Sequence, residues 1–374
     1  MKNIALFGST GYIGRSVLDV IARQPDEFRA YALVAGSQHQ KFKQQIEWFK
    51  PEYAALPIEV PEFRKQFPEV RFFHNEEGYE QIASLPAVDL VVMAIPGLAG
   101  LRATMHALEC GKMVALATKE IIVSGGPLIK KHLKQILPLD SEHNAIFQIL
   151  RSENSCIEQI ILTASGGPFI DSPEDLSNVS LEQVLKHPVW KMGRKITVDS
   201  ATLMNKGLEL IEACRLFGLE KNQVSVVMHP EAIVHGFVLF TDGFLKGVLS
   251  LPDMRYSIAY CLNYPQRQSV GLPLLHPVEM KLTFRPLDER RFPCVALARN
   301  ALESGDSYPV ALNAADDEAV KFFLDGKINF GRIPALVEQA LNLHSPVPIR
   351  TIDDVFEVDR STRIIVRDMV GITG

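Results

Sequence analysis

The chain has 374 residues, 47% of them hydrophobic and 22% charged, the balance of a globular protein with room for two or three domains. A formal net charge of -5 excludes a general nucleic-acid binder, which presents a basic face. MKNIALFG is too short an apolar run for an export signal and no stretch reads as a membrane span, so a cytoplasmic protein with no membrane partner is expected. The five cysteines, Cys110, Cys156, Cys214, Cys261 and Cys294, show no CxxC spacing and read as reduced, mostly buried thiols.

The first 150 residues alternate short apolar runs with helical patterns: NIALFG, SVLDVIAR, YALVAG, then DLVVMAIP, LRATMHALE, MVALATKE and KQILPLD. Such alternation specifies βαβ units in a doubly wound, Rossmann-type parallel sheet, whose ligands bind at the carboxyl ends of the strands. Gly8-Ser9-Thr10-Gly11-Tyr12-Ile13-Gly14 falls between the first strand and its helix. There glycines let a pyrophosphate approach the backbone amides. The spacing is GxxGxxG rather than GxGxxG, and a turn chosen only for close packing competes with the dinucleotide reading. After the second strand there is no acidic residue to bind ribose hydroxyls. Gly36, Ser37, Gln38 and His39, with Lys41 nearby, suit a 2'-phosphate, so NADP is favoured over NAD.

LPLDSEHN, residues 137–144, ends this region with two carboxylates one serine apart. A helix N-cap, an exposed turn and half of a metal site all fit it. If the strand continues, Asp140 and Glu142 share a face and need a proton or a divalent ion between them. Such oxygen ligands suit magnesium or manganese. DSEHNAIFQILR also continues as an amphipathic helix, which keeps the cap level with the metal site.

Past residue 150 the pattern becomes mixed. Asp242-Gly243 between two apolar strands signals a hairpin in an α+β domain with an antiparallel sheet, and its exposed edge would serve a dimer. Ser165 and two glycines follow an apolar strand in ILTASGGPF, as an anion-binding nest or a plain turn. In VDSATLMNKGLELIEACRLF, Asp199 or Ser200 is expected to cap a helix on which Asn205, Lys206 and Glu209 share one face. That face is either a solvated ion pair or, with Ser200, a set of phosphate donors at a helix N-terminus. Glu209 is out of place beside a phosphate unless a cation accompanies it, which connects it to Asp140 and Glu142. KHPVWKMGRK holds His187, Trp190, Met192 and Gly193 in a polar loop able to close over a substrate; burial of Trp190 in the core is the competing reading. NYPQRQ to RPLDER reads as a linker. From Phe292 the apolar residues recur at helical spacing, as in a small bundle.

LDSEHNAIFQ, LTASGGPF, HPVWKMGRK, VDSATLMNKGLE and LPDMR, in this order, closely resemble blocks of the 1-deoxy-D-xylulose 5-phosphate reductoisomerase family, and the match runs from GSTGYIG to the C-terminal helices. The resemblance implies NADPH-dependent conversion of 1-deoxy-D-xylulose 5-phosphate to 2-C-methyl-D-erythritol 4-phosphate in non-mevalonate isoprenoid biosynthesis, by a homodimer. The family's route is retro-aldol cleavage, aldol closure and hydride transfer; an α-ketol shift would use the same ligands.

It assigns Mg2+, Mn2+ or Co2+ to Asp140, Glu142 and Glu209. The phosphate falls to Ser165, Ser200, Asn205 and Lys206, assisted by His187, and the hydroxyls and ketone to Ser141 and Lys119. Trp190 and Met192 belong to a flap. Thr10, Gly11, Tyr12, Ile13, Gly36, Ser37, Gln38, Thr118, Glu120, Gly193 and Met254 fall in the NADPH site.

The implied division is an NADPH-binding domain at 1–145, a catalytic domain at 146–264, a linker at 265–291 and a helical bundle at 292–374. With Ser141 facing substrate between two ligands, the strand is expected to break into a turn at Asp140. Three positions depart from the family pattern: Thr118 stands where Asn is usual, Tyr12 where Ser is usual, and His229-Pro230-Glu231-Ala232 replaces HPQS. A plain NADP-dependent dehydrogenase of a small phosphorylated substrate would share the first domain but needs a cysteine nucleophile.

Overall fold

The computed structural model describes residues 1–153, 156–171, 176–186, 189–190 and 193–371. His187 and Met192 lie outside the described residues. The chain forms two compact units. One comprises Met1–Ile121, Lys131–Asn144 and Asp253–Pro273, the other Ile122–Lys130, Ala145–Pro252 and Leu274–Gly374.

In the first unit, β1 (Lys2–Phe7), β2 (Phe28–Val34), β3 (Tyr53–Leu56), β4 (Arg71–His74), β5 (Leu90–Met93), β6 (Met113–Leu116) and β7 (Ile136–Pro138) form one sheet. Their order is β4-β3-β2-β1-β5-β6-β7 and every pairing is parallel. The expected doubly wound sheet is present. Ile4 to Phe7 are fully buried, and a strand covered on both faces reads as an unbroken apolar run. The chain proceeds outward from β1 to β4 and then from β5 to β7, so the order reverses beside β1, where such sheets hold ligands. The Arg255–Asn263 helix packs on the Tyr12–Arg23 helix. Arg255 fastens it there, with Nε 3.0 Å from Asp253 Oδ2 and a terminal nitrogen 2.8 Å from Asp19 Oδ2.

The second unit is built on a five-stranded sheet of β8 (Ile157–Ala164), β9 (Val224–Met228), β10 (Val234–Phe240), β11 (Leu245–Leu249) and β12 (Arg285–Pro286), ordered β11-β10-β8-β9-β12. β8 pairs parallel with β9 and antiparallel with β10, so the sheet is mixed. The expected hairpin joins β10 to β11, with Gly243 at φ +89° in its turn, a conformation open to glycine at little cost. The C-terminal bundle is also present, as helices Cys294–Ser304, Ser307–Leu324, Arg332–Leu343 and Ile352–Met369. Ser307–Leu324 packs against the other three of these helices or their neighbours, and small buried residues such as Ala311, Ala315 and Ala319 permit the close approach.

The Lys119–Ile129 helix contains Pro127, which has no N–H to give and leaves the Val123 carbonyl without its helical donor. Arg215 supplies the missing donor: one guanidinium nitrogen bonds the Val123 carbonyl and also lies 2.9 Å from Ile122 O. A Cβ on residue 126 would stand 2.1 Å from that nitrogen, so glycine there admits the arginine. Burial pushes the Arg215 pKa down to about 10, and the group stays charged at neutral pH. Arg215→Met should cost about 3 kcal/mol of stability, a buried carbonyl being left unpaired, and Gly126→Ala should destabilise by displacing the guanidinium. Urea unfolding measures both; midpoints equal to wild type would refute the pairing.

Candidate functional site

At the carboxyl end of β1, Gly8 turns with φ +84°, and a Cβ there would lie 2.4 Å from Ala94 O. One on Gly14 would lie 2.2 Å from Gly8 O. Close packing therefore requires two of the three motif glycines. Gly11 occupies the N-cap position of the Tyr12–Arg23 helix and offers no side-chain cap. The first amides of that helix, at Tyr12 and Ile13, have no acceptor within it and suit a pyrophosphate. Arg15 holds the Thr10 carbonyl at 3.0 Å, and Gln45 brackets Ser9 through its hydroxyl at 2.7 Å and its carbonyl at 2.9 Å.

Gly36, Ser37 and Gln38, just past β2, are exposed, and Gln38 accepts a hydrogen bond from Lys41 at 2.6 Å. Thr118 and Glu120 lie just past β6. The Thr118 hydroxyl donates to Ile95 O at 2.7 Å, tying together the loops after β5 and β6. Met254 begins the turn into the helix that Arg255 fastens, so LPDMR carries its own anchor; the close Asp253 and Arg255 pair was the signal available in the sequence. Gly193 belongs to the second unit, where it precedes the Arg194–Thr202 helix.

LPLDSEHN resolves differently from the extended reading. β7 stops at Pro138, and a helix starts at Ser141 with Asn144 N bonded to Asp140 O at 2.8 Å. The break expected at Asp140 is there. Glu142 lies in the first helical turn rather than two places along a strand, because the helical pattern of SEHNAIFQILR prevails. Asn144 secures the corner by donating to Pro138 O at 2.9 Å. Asp140 therefore holds the capping position without giving up its role as a ligand candidate. Lys119 Nζ lies 2.5 Å from Asp140 Oδ2, with the two side chains only 7% and 14% exposed. Ser141 donates to Glu142 Oε2 at 2.6 Å. Burial acts to raise the Asp140 pKa, but the Lys119 ammonium and neighbouring groups outweigh it and hold the carboxyl well below its usual range.

In the second unit, the turn after β8 places Gly166 at φ +85° and Gly167 at φ +58°. A Cβ on Gly167 would lie 3.0 Å from Ser200 O, so the turn that follows Ser165 rests against the helix that carries Ser200. Asp199 and Ser200 do not cap the helix of Asn205 and Lys206. They lie inside the preceding helix, Arg194–Thr202, and a new helix, Met204–Phe217, starts after Leu203 at φ +58°. Leu203 is almost fully buried, and its burial sustains a left-handed conformation that local preference disfavours.

Asn205 donates to Glu209 Oε1 at 2.6 Å, and Lys206 pairs with Glu209 Oε2. Lys206 is 3% exposed and Glu209 1%, which rules out the solvated ion pair. Trp190 is half-buried. His229 is fully buried; its Nδ1 meets Thr283 O at 2.9 Å and its Nε2 accepts from the amides of Ile233 and Val234, both at 3.1 Å. With Glu231 Oε2 also 3.2 Å from Nδ1, both ring nitrogens are engaged and the imidazole is a structural group. The corner it holds places Ala232 at φ +51°.

Models of 1-deoxy-D-xylulose 5-phosphate reductoisomerase match residues 4–126, those of its C-terminal domain residues 136–217, and those of the DXP reductoisomerase C-terminal domain residues 249–365. The chain belongs to the 1-deoxy-D-xylulose 5-phosphate reductoisomerase family. Reductoisomerases of Trichlorobacter lovleyi and Pelotomaculum thermopropionicum are 44% and 45% identical to it; the matches cover 99% and 97% of this chain and 97% of each relative. A crystal structure of DOX-P reductoisomerase in complex with NADPH, fosmidomycin and magnesium superposes with a TM-score of 0.90 at 35% identity, covering 100% of this chain and 99% of the other. The Zymomonas mobilis reductoisomerase in complex with NADPH gives 0.90 at 34%, covering 99% of each.

Within the buried Lys206–Glu209 pair each charge depends on the other, so breaking the pair should cost more than removing it whole. Lys206→Met leaves the Glu209 charge buried without its cation and should cost about 3 kcal/mol. The double variant Lys206→Met/Glu209→Gln should recover most of that loss. Urea unfolding in a chelator tests this, and a single variant as stable as wild type would contradict it.

Proposed function

We infer that this chain converts 1-deoxy-D-xylulose 5-phosphate to 2-C-methyl-D-erythritol 4-phosphate, using NADPH and a divalent cation, as a step of non-mevalonate isoprenoid biosynthesis. Membership of the reductoisomerase family over nearly its whole length carries this reading. The buried Lys119–Asp140 pair at the end of β7 gives that chemistry a place in the chain.

Asp140, Glu142 and Glu209 are the ligands we assign to Mg2+, Mn2+ or Co2+. Their all-oxygen donor set suits such hard ions, and lysines now balance Asp140 and Glu209. When bound, the ion lowers the pKa of a substrate hydroxyl and stabilises negative charge on the ketone and hydroxyl oxygens. Lys119 then presents its ammonium to the ketone, and Ser141 its hydroxyl to the neighbouring hydroxyl group. Glu142 holds Ser141 in orientation through their 2.6 Å hydrogen bond.

Ser165, Ser200, Asn205 and Lys206, assisted by His187, take the phosphate, and this remote binding orients the reacting carbons. Trp190 covers the substrate and excludes water. Retro-aldol cleavage and aldol closure would yield an aldehyde, and NADPH, when bound, would supply the hydride to reduce it. Thr10, Gly11, Tyr12 and Ile13 receive the cofactor's pyrophosphate and Gly36, Ser37 and Gln38 its 2'-phosphate, while Thr118, Glu120, Gly193 and Met254 line the rest of its site. We keep the division into 1–145, 146–264, 265–291 as linker and 292–374 as bundle, with Lys119, Asp140, Ser141 and Glu142 at the catalytic end of the first segment and Gly193 and Met254 of the second reaching the cofactor.

A thiol-dependent dehydrogenase finds no support in the buried cysteines. Burial pushes Cys214 up to about 11, and the Cys261 and Cys294 thiols are also raised by burial. The working unit we propose is a homodimer in the cytoplasm, where NADPH is supplied. Edge strand β11, with Leu245 and Leu249 exposed and Phe244 beside it 69% exposed, suits a second copy of the sheet.

NADPH oxidation should require both 1-deoxy-D-xylulose 5-phosphate and magnesium, and turnover that persists in a chelator would overturn the metal assignment. Glu209→Gln should abolish turnover while leaving the NADPH dissociation constant nearly unchanged; wild-type turnover in that variant would remove Glu209 from the ligand set. Phe244→Asp should shift sedimentation from dimer to monomer, and an unshifted dimer would discard the β11 edge.

A further inference from the structure

The Arg194–Thr202 helix rests on the long Ser307–Leu324 helix. Apolar residues dominate that contact: Val198 and Ala201 belong to one buried cluster with Ala319, Val320 and Phe323. Within the same contact lies a charged cluster outside the assigned roles. Lys195 Nζ is 2.7 Å from Asp199 Oδ2 and 3.1 Å from Asp316 Oδ2. Asp199 is 2% exposed and Asp316 0%. Two acidic side chains removed from water carry a large desolvation cost that Lys195 helps to offset, and an apolar trio of similar volume would avoid it. Lys195 and Asp199 are four residues apart and would pair on a solvated helix face without help. Asp316 adds a partner from another helix, 117 positions further along the chain than Asp199.

The cluster connects to both sources of the phosphate donors. Asp199 immediately precedes Ser200, whose carbonyl stands against the Gly167 turn that follows Ser165. The Asp199 carbonyl accepts from the Thr202 hydroxyl at 3.2 Å, and that hydroxyl accepts from Met204 N at 3.2 Å. Met204 is the first residue of the helix that carries Asn205 and Lys206. One connected path thus runs from Asp316 through Lys195, Asp199 and Thr202 to the start of that helix.

We propose that Asp316, acting through Lys195 and Asp199, is a positioning residue for the substrate's phosphate: it fixes the Arg194–Thr202 helix so that Ser200, Asn205 and Lys206 converge on one anion. This rests on the phosphate site assigned above. Asp316 touches no substrate; it sets the geometry of groups that do. Misplacing them weakens capture of the phosphorylated substrate and leaves the cofactor untouched.

The test is steady-state kinetics of the full-length, magnesium-loaded enzyme with Asp316→Asn, Lys195→Gln and Lys195→Arg, beside Ser200→Ala and Lys206→Ala. Asp316→Asn and Lys195→Gln should each raise the KM for 1-deoxy-D-xylulose 5-phosphate about tenfold with the KM for NADPH unchanged, and Lys195→Arg should restore most of the loss. If Ser200→Ala and Lys206→Ala raise the substrate KM while Asp316→Asn and Lys195→Gln do not, the positioning role is wrong and the phosphate site stands. If Ser200→Ala and Lys206→Ala also leave it unchanged, the phosphate site is wrong and the inference falls with it. Equal rises in both KM values, or no rescue by Lys195→Arg, would mark a merely structural cluster and overturn the proposal.

Discussion

A carboxylate taken out of water must have a positive partner, and this constraint governs the whole site. Asp140 meets Lys119, and Glu209 meets Lys206, each pair buried within its own unit. An isolated buried carboxylate would take up a proton and lose its value as a ligand. Lys119 helps to keep Asp140 ionised. Under the proposed function the same ammonium groups face substrate oxygens, so one set of charges would serve both the fold and the chemistry.

Each pair is held by an abrupt change of secondary structure. Pro138 ends β7 and Ser141 begins a helix, which fixes Asp140 at the corner. Leu203 interrupts two helices and resets the direction of the chain one residue before Met204. Functional side chains at such corners inherit the precision of the elements on both sides, which a continuous strand or helix would deny them. The doubly wound sheet contributes in the same way, because its reversal beside β1 gathers the loops after β1, β2 and β6 at one edge.

Much of this was legible in the residues. Glycines between an apolar run and a helical pattern located the first βα turn, and the absence of an acid after β2 spoke for NADP. The four-residue spacing of Asn205 and Glu209 correctly placed both on one helix face. Burial of that face was not legible, because an i,i+3 ion pair reads alike in water and in a core. Nor was the boundary at Leu203: the one glycine of VDSATLMNKGLE, Gly207, lies inside the second helix and not at the break, and the left-handed residue is sustained by tertiary burial that no local window contains. Local rules treated cap and ligand as rivals at Asp140, although a capping position leaves a side chain free to serve elsewhere. Asp316 stood in an ordinary helical run, AADDEAVK, with nothing to tie it to Lys195 until the fold brought the two helices together.

The exchange of a proline's missing hydrogen bond for an arginine has a consequence for how this sequence can change. Pro127, Gly126 and Arg215 form one unit in which each residue sets the value of the others. With proline present, the arginine is needed and the glycine must stay small. Were Pro127 replaced first, the helix would recover its own donor, Arg215 would become a buried cation with less to bind, and the restriction on residue 126 would ease. Substitution in the opposite order would strand a carbonyl. The three positions are therefore expected to tolerate change along one path and resist it along another, an epistasis written in backbone hydrogen bonding rather than in side-chain contact.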